Sequence, residues 1–150
     1  MALVELLGET LQRAGGDSEK GAVETYTLAG EGRYVGIYFS ALGCPPCRRF
    51  TPKLVQFYNQ FKKTEKGESL EIVLVSGDPD QESFDEHFAE MPWLAIPFTE
   101  PQKRLDLCNK YEVLGIPVLV IVDANSAELV TDRGRDGVTT DPTGQNFPWT

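Results

Sequence analysis

Two cysteines, Cys44 and Cys47, lie three positions apart in the segment FSALGCPPCRRF, with only two prolines between them. Such a pair is used in metal sites, in structural disulfides and in thiol chemistry. A tetrahedral zinc site needs four ligands, usually in two close pairs, and the chain adds only Cys108 and His87, which stand alone and far apart. A disulfide across so short a loop removes little entropy from the unfolded chain. Both of these interpretations are therefore weak.

The third interpretation, a dithiol that exchanges with disulfides, follows from the elements on either side. The apolar run Tyr34–Ala41 predicts a buried strand, and apolar residues at intervals of three and four predict a helix over Pro46–Lys63. Cys44 then comes just before the helix, where unpaired N–H groups and the positive end of the helix dipole stabilise a thiolate. Cys47 lies one turn later, within reach to resolve a mixed disulfide.

Neighbouring residues are expected to support this chemistry. Pro46 is harmless in the first helical turn, where its missing N–H is not needed, and together with Pro45 it stiffens the turn between the sulfurs. Arg48 and Arg49 would add positive charge that favours the thiolate. The alternative is that these arginines are solvated side chains on the helix surface.

A second feature is the segment LGIPVLV, in which Pro117 comes directly before a buried strand. Proline cannot donate to a strand ladder, so it suits the first position of a strand. The Ile116–Pro117 peptide bond is either trans, and simply starts the strand, or cis, which is uncommon in folded proteins. A cis bond packed against the cysteine turn would leave the backbone of Ile116 free to pair with a substrate chain.

The order of the predicted elements indicates the fold class. The further predicted strands and helices are the strands Leu70–Gly77, Pro117–Asp123 and Ala127–Gly134 and the helices Ser83–Met91 and one beginning at Pro101. Alternating strands and helices, with a hairpin at the end, predict an α/β fold with a central, mainly parallel mixed sheet and helices on both faces. Because the cysteines follow the carboxyl end of the first strand, they fall where open α/β sheets place their sites.

Four smaller expectations concern single positions. Pro52 should kink the helix after the cysteines. His87, between Phe84 and Phe88, is expected on the surface, and Cys108 is expected to be a small buried apolar residue. The Phe147–Trp149 segment should seal the core at the end of the chain.

Composition excludes several classes of protein. The 150 residues suggest one domain, and a net charge of -9, from 14 Lys and Arg against 23 Asp and Glu, argues against a nucleic-acid surface. No apolar run approaches the length of a membrane span, and the first residues lack the basic region of a signal peptide. Three cysteines favour a reducing compartment, the cytosol or the nucleus. The abrupt end after NFPWT suggests one module of a longer multidomain protein.

Several segments together resemble a known family. They are LLGETL, YFSALGCPPCRRFTPKLVQFY, EIVLVSGDPDQESFDEHFAEMPWLAIPF, KYEVLGIPVLVIVDA and DPTGQNFPW. In this order and spacing they resemble the thioredoxin superfamily, and more closely its tryparedoxin and nucleoredoxin branch, with the nearest likeness to a nucleoredoxin thioredoxin domain.

The resemblance implies a thioredoxin-like fold and a dithiol–disulfide oxidoreductase. It implies that Cys44 attacks, that Cys47 resolves, and that Pro117 is a cis proline facing them. It also places Trp93 near the active site, with a core or rim aromatic as the alternative.

Two positions depart from the family pattern. Most relatives carry tryptophan where Gly43 stands, so an apolar platform beside the sulfur is missing. Many thioredoxins keep a buried acid where Tyr38 stands, and a tyrosine is a poor base at neutral pH because its pKa lies far above 7. Tyr38 is alternatively a strand residue in the core, and in either case deprotonation of Cys47 is expected to depend on solvent.

Three functions are compatible with these residues. The first is a protein-disulfide reductase without a bound cofactor, recharged by an upstream reductase with NADPH or by a low-molecular-weight thiol. The second is a redox-sensitive adaptor that holds signalling partners such as Dishevelled. The third is a tryparedoxin that uses a trypanothione-type donor. Neither a nucleic acid nor a membrane is an expected partner.

Overall fold

A computed structural model of the chain describes residues 1–15 and 21–150. The strands are β1 (Thr10–Arg13), β2 (Ala22–Glu24), β3 (Tyr34–Ser40), β4 (Leu70–Ser76), β5 (Leu94–Ala95), β6 (Val118–Asp123) and β7 (Leu129–Thr131). The helices are α1 (Ala2–Leu7), α2 (Pro45–Phe61), α3 (Gln81–Phe88), α4 (Pro101–Lys110) and α5 (Gly134–Thr140). Two short 3-10 turns cover Thr25–Leu28 and Gly67–Ser69.

The strands form one mixed sheet in the order β2-β1-β5-β4-β3-β6-β7. Strand β3 lies inside it, parallel to β4 and antiparallel to β6. The only other parallel pairing among the described strands joins β4 and β5. The predicted α/β fold with a mixed sheet is confirmed, although parallel pairings are two of the six between described strands and not the majority. Antiparallel pairings predominate because β1 pairs antiparallel with both β2 and β5, and because β6 runs against β3 before turning back into β7.

Helices cover both faces of the sheet, as predicted. Alternate side chains of a strand point to opposite faces, so Tyr38 and Phe39 of β3 belong to different apolar clusters. Tyr38 packs in the cluster formed with α2, α3 and α5, whereas Phe39 packs in the cluster formed with α1 and α4. The strand that leads into the cysteines is therefore buried on both sides and holds them in a fixed position.

The elements that the sequence pattern did not reveal are short. Strand β5 has two residues and β2 has three, which is too few for a period of two to be recognised. The predicted elements all exist, with boundaries shifted by a few residues. Helix α2, for example, begins at Pro45 rather than Pro46 and runs through Pro52 to Phe61.

The end of the chain closes the core, as predicted. The Phe147 ring lies 4.9 Å from the Phe61 ring, and the Trp149 ring lies 5.5 Å from the Phe57 ring. The Trp149 indole N–H also donates to the Asp141 carboxylate at 3.0 Å. These contacts hold the last residues against the C-terminal end of α2, away from the cysteines at its N-terminus.

Candidate active site

The first cysteine occupies the N-cap of α2. Cys44 has extended backbone angles, φ -99° and ψ 109°, and its sulfur accepts a hydrogen bond from the Cys47 backbone N–H at 3.2 Å. The thiol also lies 3.7 Å from the Ile116 carbonyl oxygen. Since Cys44 is half-buried, a disulfide can approach its sulfur, which lies at the N-terminal, positive end of the α2 dipole.

The second cysteine lies behind the first. Cys47 is completely buried, and burial raises the pKa of its thiol to about 11. The hydrogen bond with Cys44 raises this pKa further, whereas contacts with the Ala41 backbone and the Ser40 hydroxyl lower it. The pair is thus asymmetric, with one accessible sulfur at the helix terminus and one buried thiol that holds its proton.

The prolines lie where the sequence predicted. Pro45 is the first residue of α2, so both prolines of the motif fall in the turn that needs no N–H donors. The Ile116–Pro117 peptide bond is cis, as the resemblance implied. Through the Ile116 carbonyl, the loop that holds this bond faces the Cys44 sulfur.

Arg48 is hydrogen-bonded to the loop before the cysteines. Its Nε donates to the Leu42 carbonyl oxygen at 2.8 Å, and the Leu42 N–H donates to an Asp78 carboxylate oxygen at 2.7 Å. The loop that joins β3 to α2 is therefore fixed from both sides. The effect of the Arg48 charge on the Cys44 sulfur stays a prediction.

Tyr38 and Trp93 are core residues, which was the alternative for each of them. The Tyr38 hydroxyl and the Thr51 hydroxyl share a buried hydrogen bond of 2.7 Å, and burial raises the pKa of Tyr38 to about 12. Trp93 is buried, and its ring meets the Tyr38 ring edge-on at 6.1 Å. A neutral phenol held in this way does not serve as a base at neutral pH.

Gly43 leaves the rim of the site open. It is exposed, and a Cβ atom built there would meet no atom within 4 Å. A larger side chain would fit without clashing at its first atom. The missing tryptophan is therefore a difference in the surface offered to partners and not a requirement of packing.

The sequence did not reveal a buried pair of polar residues behind the cysteines. Ser40 and His87 are both fully buried, and the Ser40 hydroxyl lies 2.8 Å from His87 Nε2. The expectation that His87 is on the surface is wrong. His87 lies three residues after Phe84 and four residues before Met91, so it shares their buried face. This spacing could have predicted its burial from the sequence.

Among residues 1–15 and 21–150, no three or more His, Cys, Asp or Glu side chains are arranged to hold a metal ion. No helix in the same ranges has the length and apolarity to cross a membrane.

The site combines an accessible thiol at a helix N-cap, a buried thiol one turn later and a cis-proline loop that faces them. Together with the mixed sheet, these features define a dithiol protein of the thioredoxin type. The sequence profile described as Thioredoxin-like matches residues 32–128, and the chain belongs to this family. The chain is 49% identical over 126 residues to the nucleoredoxin of Xenopus laevis, which covers 84% of this chain and 29% of that protein.

Solved tryparedoxins share the fold over nearly the full length. Native tryparedoxin I from Crithidia fasciculata matches with a TM-score of 0.88 and 39% identity, covering 100% of this chain and 99% of that one. Tryparedoxin II complexed with glutathionylspermidine matches with a TM-score of 0.88 and 34% identity, covering 99% of both chains. The predicted nucleoredoxin and tryparedoxin branch is confirmed, and the chain spans less than a third of the length of the nucleoredoxin.

Proposed function

We propose that this chain is a protein-disulfide reductase that works through Cys44 and Cys47. The observation that carries the proposal is the Cys44 sulfur, which caps α2, accepts the Cys47 N–H at 3.2 Å and remains partly accessible. Thiolates are the nucleophiles of disulfide exchange, and this is a position that stabilises one.

The reaction takes place in two exchanges. The Cys44 thiolate attacks a substrate disulfide, forms a mixed disulfide and releases one substrate thiolate, which takes up a proton. Cys47 then loses its proton and attacks the Cys44 sulfur, so that the Cys44–Cys47 disulfide forms and the second substrate thiolate leaves. The substrate gains two electrons and two protons, and the protein loses the same number.

Single cysteine variants test the proposal by insulin reduction with dithiothreitol as the electron source. Cys44→Ser is expected to lose the activity, because no thiol remains at the helix N-cap. Cys47→Ser is expected to stop after the first exchange and to accumulate mixed disulfides visible on non-reducing gels. Cys108→Ser, a change on the opposite face of the sheet, is the matched control and should retain the wild-type rate. A Cys44→Ser variant as active as the wild type would refute the proposal.

The source of electrons is proposed to be an upstream reductase with NADPH or a low-molecular-weight thiol. The complex of tryparedoxin II with glutathionylspermidine supports the second source, since that protein shares 34% identity and the whole fold with this chain. Reduction of the oxidised protein can be followed with thioredoxin reductase and NADPH, and separately with a trypanothione-type dithiol. We expect the reductase to act; a much faster reaction with the dithiol would favour a tryparedoxin role.

A regulatory role for the same site is a second candidate, in which oxidation releases signalling partners such as Dishevelled. Two exposed features near the cysteines favour it: the open rim at Gly43 and the completely exposed side chain of Leu114, two residues before Ile116. This role would require the reducing environment of the cytosol or nucleus. Capture of Dishevelled by the reduced protein, and its loss on oxidation or in Leu114→Ser, is the expected result. Equal capture in both redox states would exclude it.

A further inference from the structure

The second exchange requires Cys47 to lose a proton that its surroundings retain. Burial raises the pKa of this thiol to about 11, so hydroxide from solvent is a slow route to the thiolate at neutral pH. The Tyr38 hydroxyl is bonded to Thr51, and with a pKa raised to about 12 it accepts no proton either. The reductase proposed above therefore needs another acceptor.

A connected set of buried groups leads away from Cys47. The Ser40 hydroxyl, at the end of β3, lies near enough to the Cys47 thiol to lower its pKa, and it is hydrogen-bonded to His87 Nε2 at 2.8 Å. All three side chains are completely buried. On the far side of the ring, His87 Nδ1 has no hydrogen-bond partner and lies 3.9 Å from a carboxylate oxygen of Glu90, whose side chain is 64% exposed. The path runs from the buried thiol to the surface.

We propose that Ser40 and His87 relay the Cys47 proton towards Glu90 during the second exchange, with His87 as the base. This inference rests on the reductase function proposed above. As the Cys47 sulfur attacks Cys44, its proton passes to the Ser40 oxygen and the Ser40 proton passes to His87 Nε2. The imidazolium then releases the Nδ1 proton to solvent beside Glu90. The bonds formed and broken and the electrons transferred are the same as in the two exchanges described above, because the relay changes only the group that receives the Cys47 proton.

The charges around the ring suit a base that accepts a proton briefly. Burial lowers the pKa of His87, so the ring is neutral at pH 7 and has a free lone pair. Asp78, after β4, and Glu90, after α3, both oppose this shift and stabilise the imidazolium once it forms. The other titratable groups near Ser40 are Cys47 of α2 and Tyr38 of β3.

Asp78 is not itself the acceptor. Its two carboxylate oxygens take hydrogen bonds from the Leu42 N–H at 2.7 Å and from the Ser76 hydroxyl at 2.6 Å. Its contribution to the ring is that of a nearby negative charge. His87 reaches the Cys47 thiol only through Ser40, so a packing change could also slow the step, and the pH dependence of the rate separates the two causes.

The test separates the two exchanges in one stopped-flow trace. The reduced protein is mixed with a symmetric nitrophenyl disulfide, which releases one coloured thiolate when Cys44 attacks and a second when Cys47 resolves. His87→Gln keeps a side chain that can bond Ser40 but cannot take up a proton, and Ser40→Ala breaks the link while leaving the ring. Glu90→Gln removes the carboxylate beside Nδ1. Glu86→Gln, an exposed change of the same kind on α3, is its matched control.

We expect the second phase at pH 7 to slow by about tenfold to a thousandfold in His87→Gln and Ser40→Ala, the usual range for loss of a general base. The first phase should stay within about twofold of wild type. The wild-type second phase should level off with rising pH once His87 is neutral, whereas the variants should gain about tenfold per pH unit as hydroxide replaces the base. Glu90→Gln should move the wild-type midpoint to lower pH, and Glu86→Gln should leave it in place.

Several outcomes would overturn the relay. Unchanged second phases in both variants, or slowing in only one of them, would exclude a path that needs both groups. Slowing by the same factor at every pH would indicate displaced packing instead. Failure of the wild type to show even the first phase would refute the reductase function itself, so the two failures are distinguishable. Circular dichroism of each variant confirms that it is folded.

Discussion

The burial of Cys47 makes a quantitative prediction about thiol labelling. With a pKa of about 11, about one Cys47 thiol in ten thousand is ionised at pH 7. A cysteine at the reference pKa of 9.0 would have about one in a hundred, so ionisation alone slows alkylation about 100-fold. The absence of exposed area at Cys47 slows it further. We therefore expect iodoacetamide to modify Cys44 and to spare Cys47 at neutral pH.

The assay is timed alkylation of the reduced protein from pH 6 to pH 9, quenched with acid and read by fragmentation of the peptide that carries both cysteines. The Cys47 rate should rise about tenfold per pH unit without levelling off, because the pKa of about 11 lies above the whole range. In urea the two cysteines should react alike, which shows that the difference belongs to the fold. Labelling of Cys47 as fast as Cys44 at pH 7, or a plateau below pH 9, would refute the reasoning, and faster labelling of Cys47 would reverse the proposed roles.

Three further changes have expected outcomes. Tyr38→Phe should leave the insulin-reduction rate at pH 7 within about threefold of wild type, because the hydroxyl is not a base. Urea unfolding should show a free energy of unfolding lower by about 1–2 kcal/mol, because the buried Thr51 hydroxyl loses its partner. A rate loss beyond tenfold would contradict this. Burial lowers the pKa of His87, so below about pH 6.5 the unfolded chain binds more protons than the folded protein. The free energy of unfolding should therefore fall from pH 7 to pH 5 more steeply in the wild type than in His87→Gln. Equal pH slopes of the unfolding free energy from urea titrations would contradict this. Gly134→Ala should cost about 1–3 kcal/mol, seen as a lower Tm, since the added Cβ would lie 2.7–2.9 Å from Leu119 atoms, its backbone oxygen included; an unchanged Tm would show that α5 can move aside.

The resemblance contributed what the residues alone left open. The sequence by itself allowed either isomer at Pro117 and either a core or a site position for Trp93. The family likeness favoured the cis isomer, which the structure contains, and it placed Trp93 near the site. Trp93 is a buried ring that meets the Tyr38 ring edge-on, so it lies in the core and not on an exposed rim.

The sequence determined the parts of the site that are contiguous in the chain. An apolar strand, a short turn, two cysteines three apart and an amphipathic helix are encoded within residues 34–61, and local hydrogen bonds such as Cys47 N–H to Cys44 fix their geometry. Periodicity and helix-terminus chemistry depend only on near neighbours, so they can be read without knowing the rest of the fold.

Only the tertiary structure decided what lies behind and in front of the cysteines. Ser40 and His87 are 47 positions apart, and Cys44 and Ile116 are 72 apart, yet each pair is in contact. The pairing of β1 with β5, one of the four antiparallel pairings between described strands, likewise joins segments too short to show a pattern. Contacts of this kind depend on how strands and helices pack against each other. The same packing buries Cys47 and His87, and this burial raises the pKa of Cys47 and lowers that of His87.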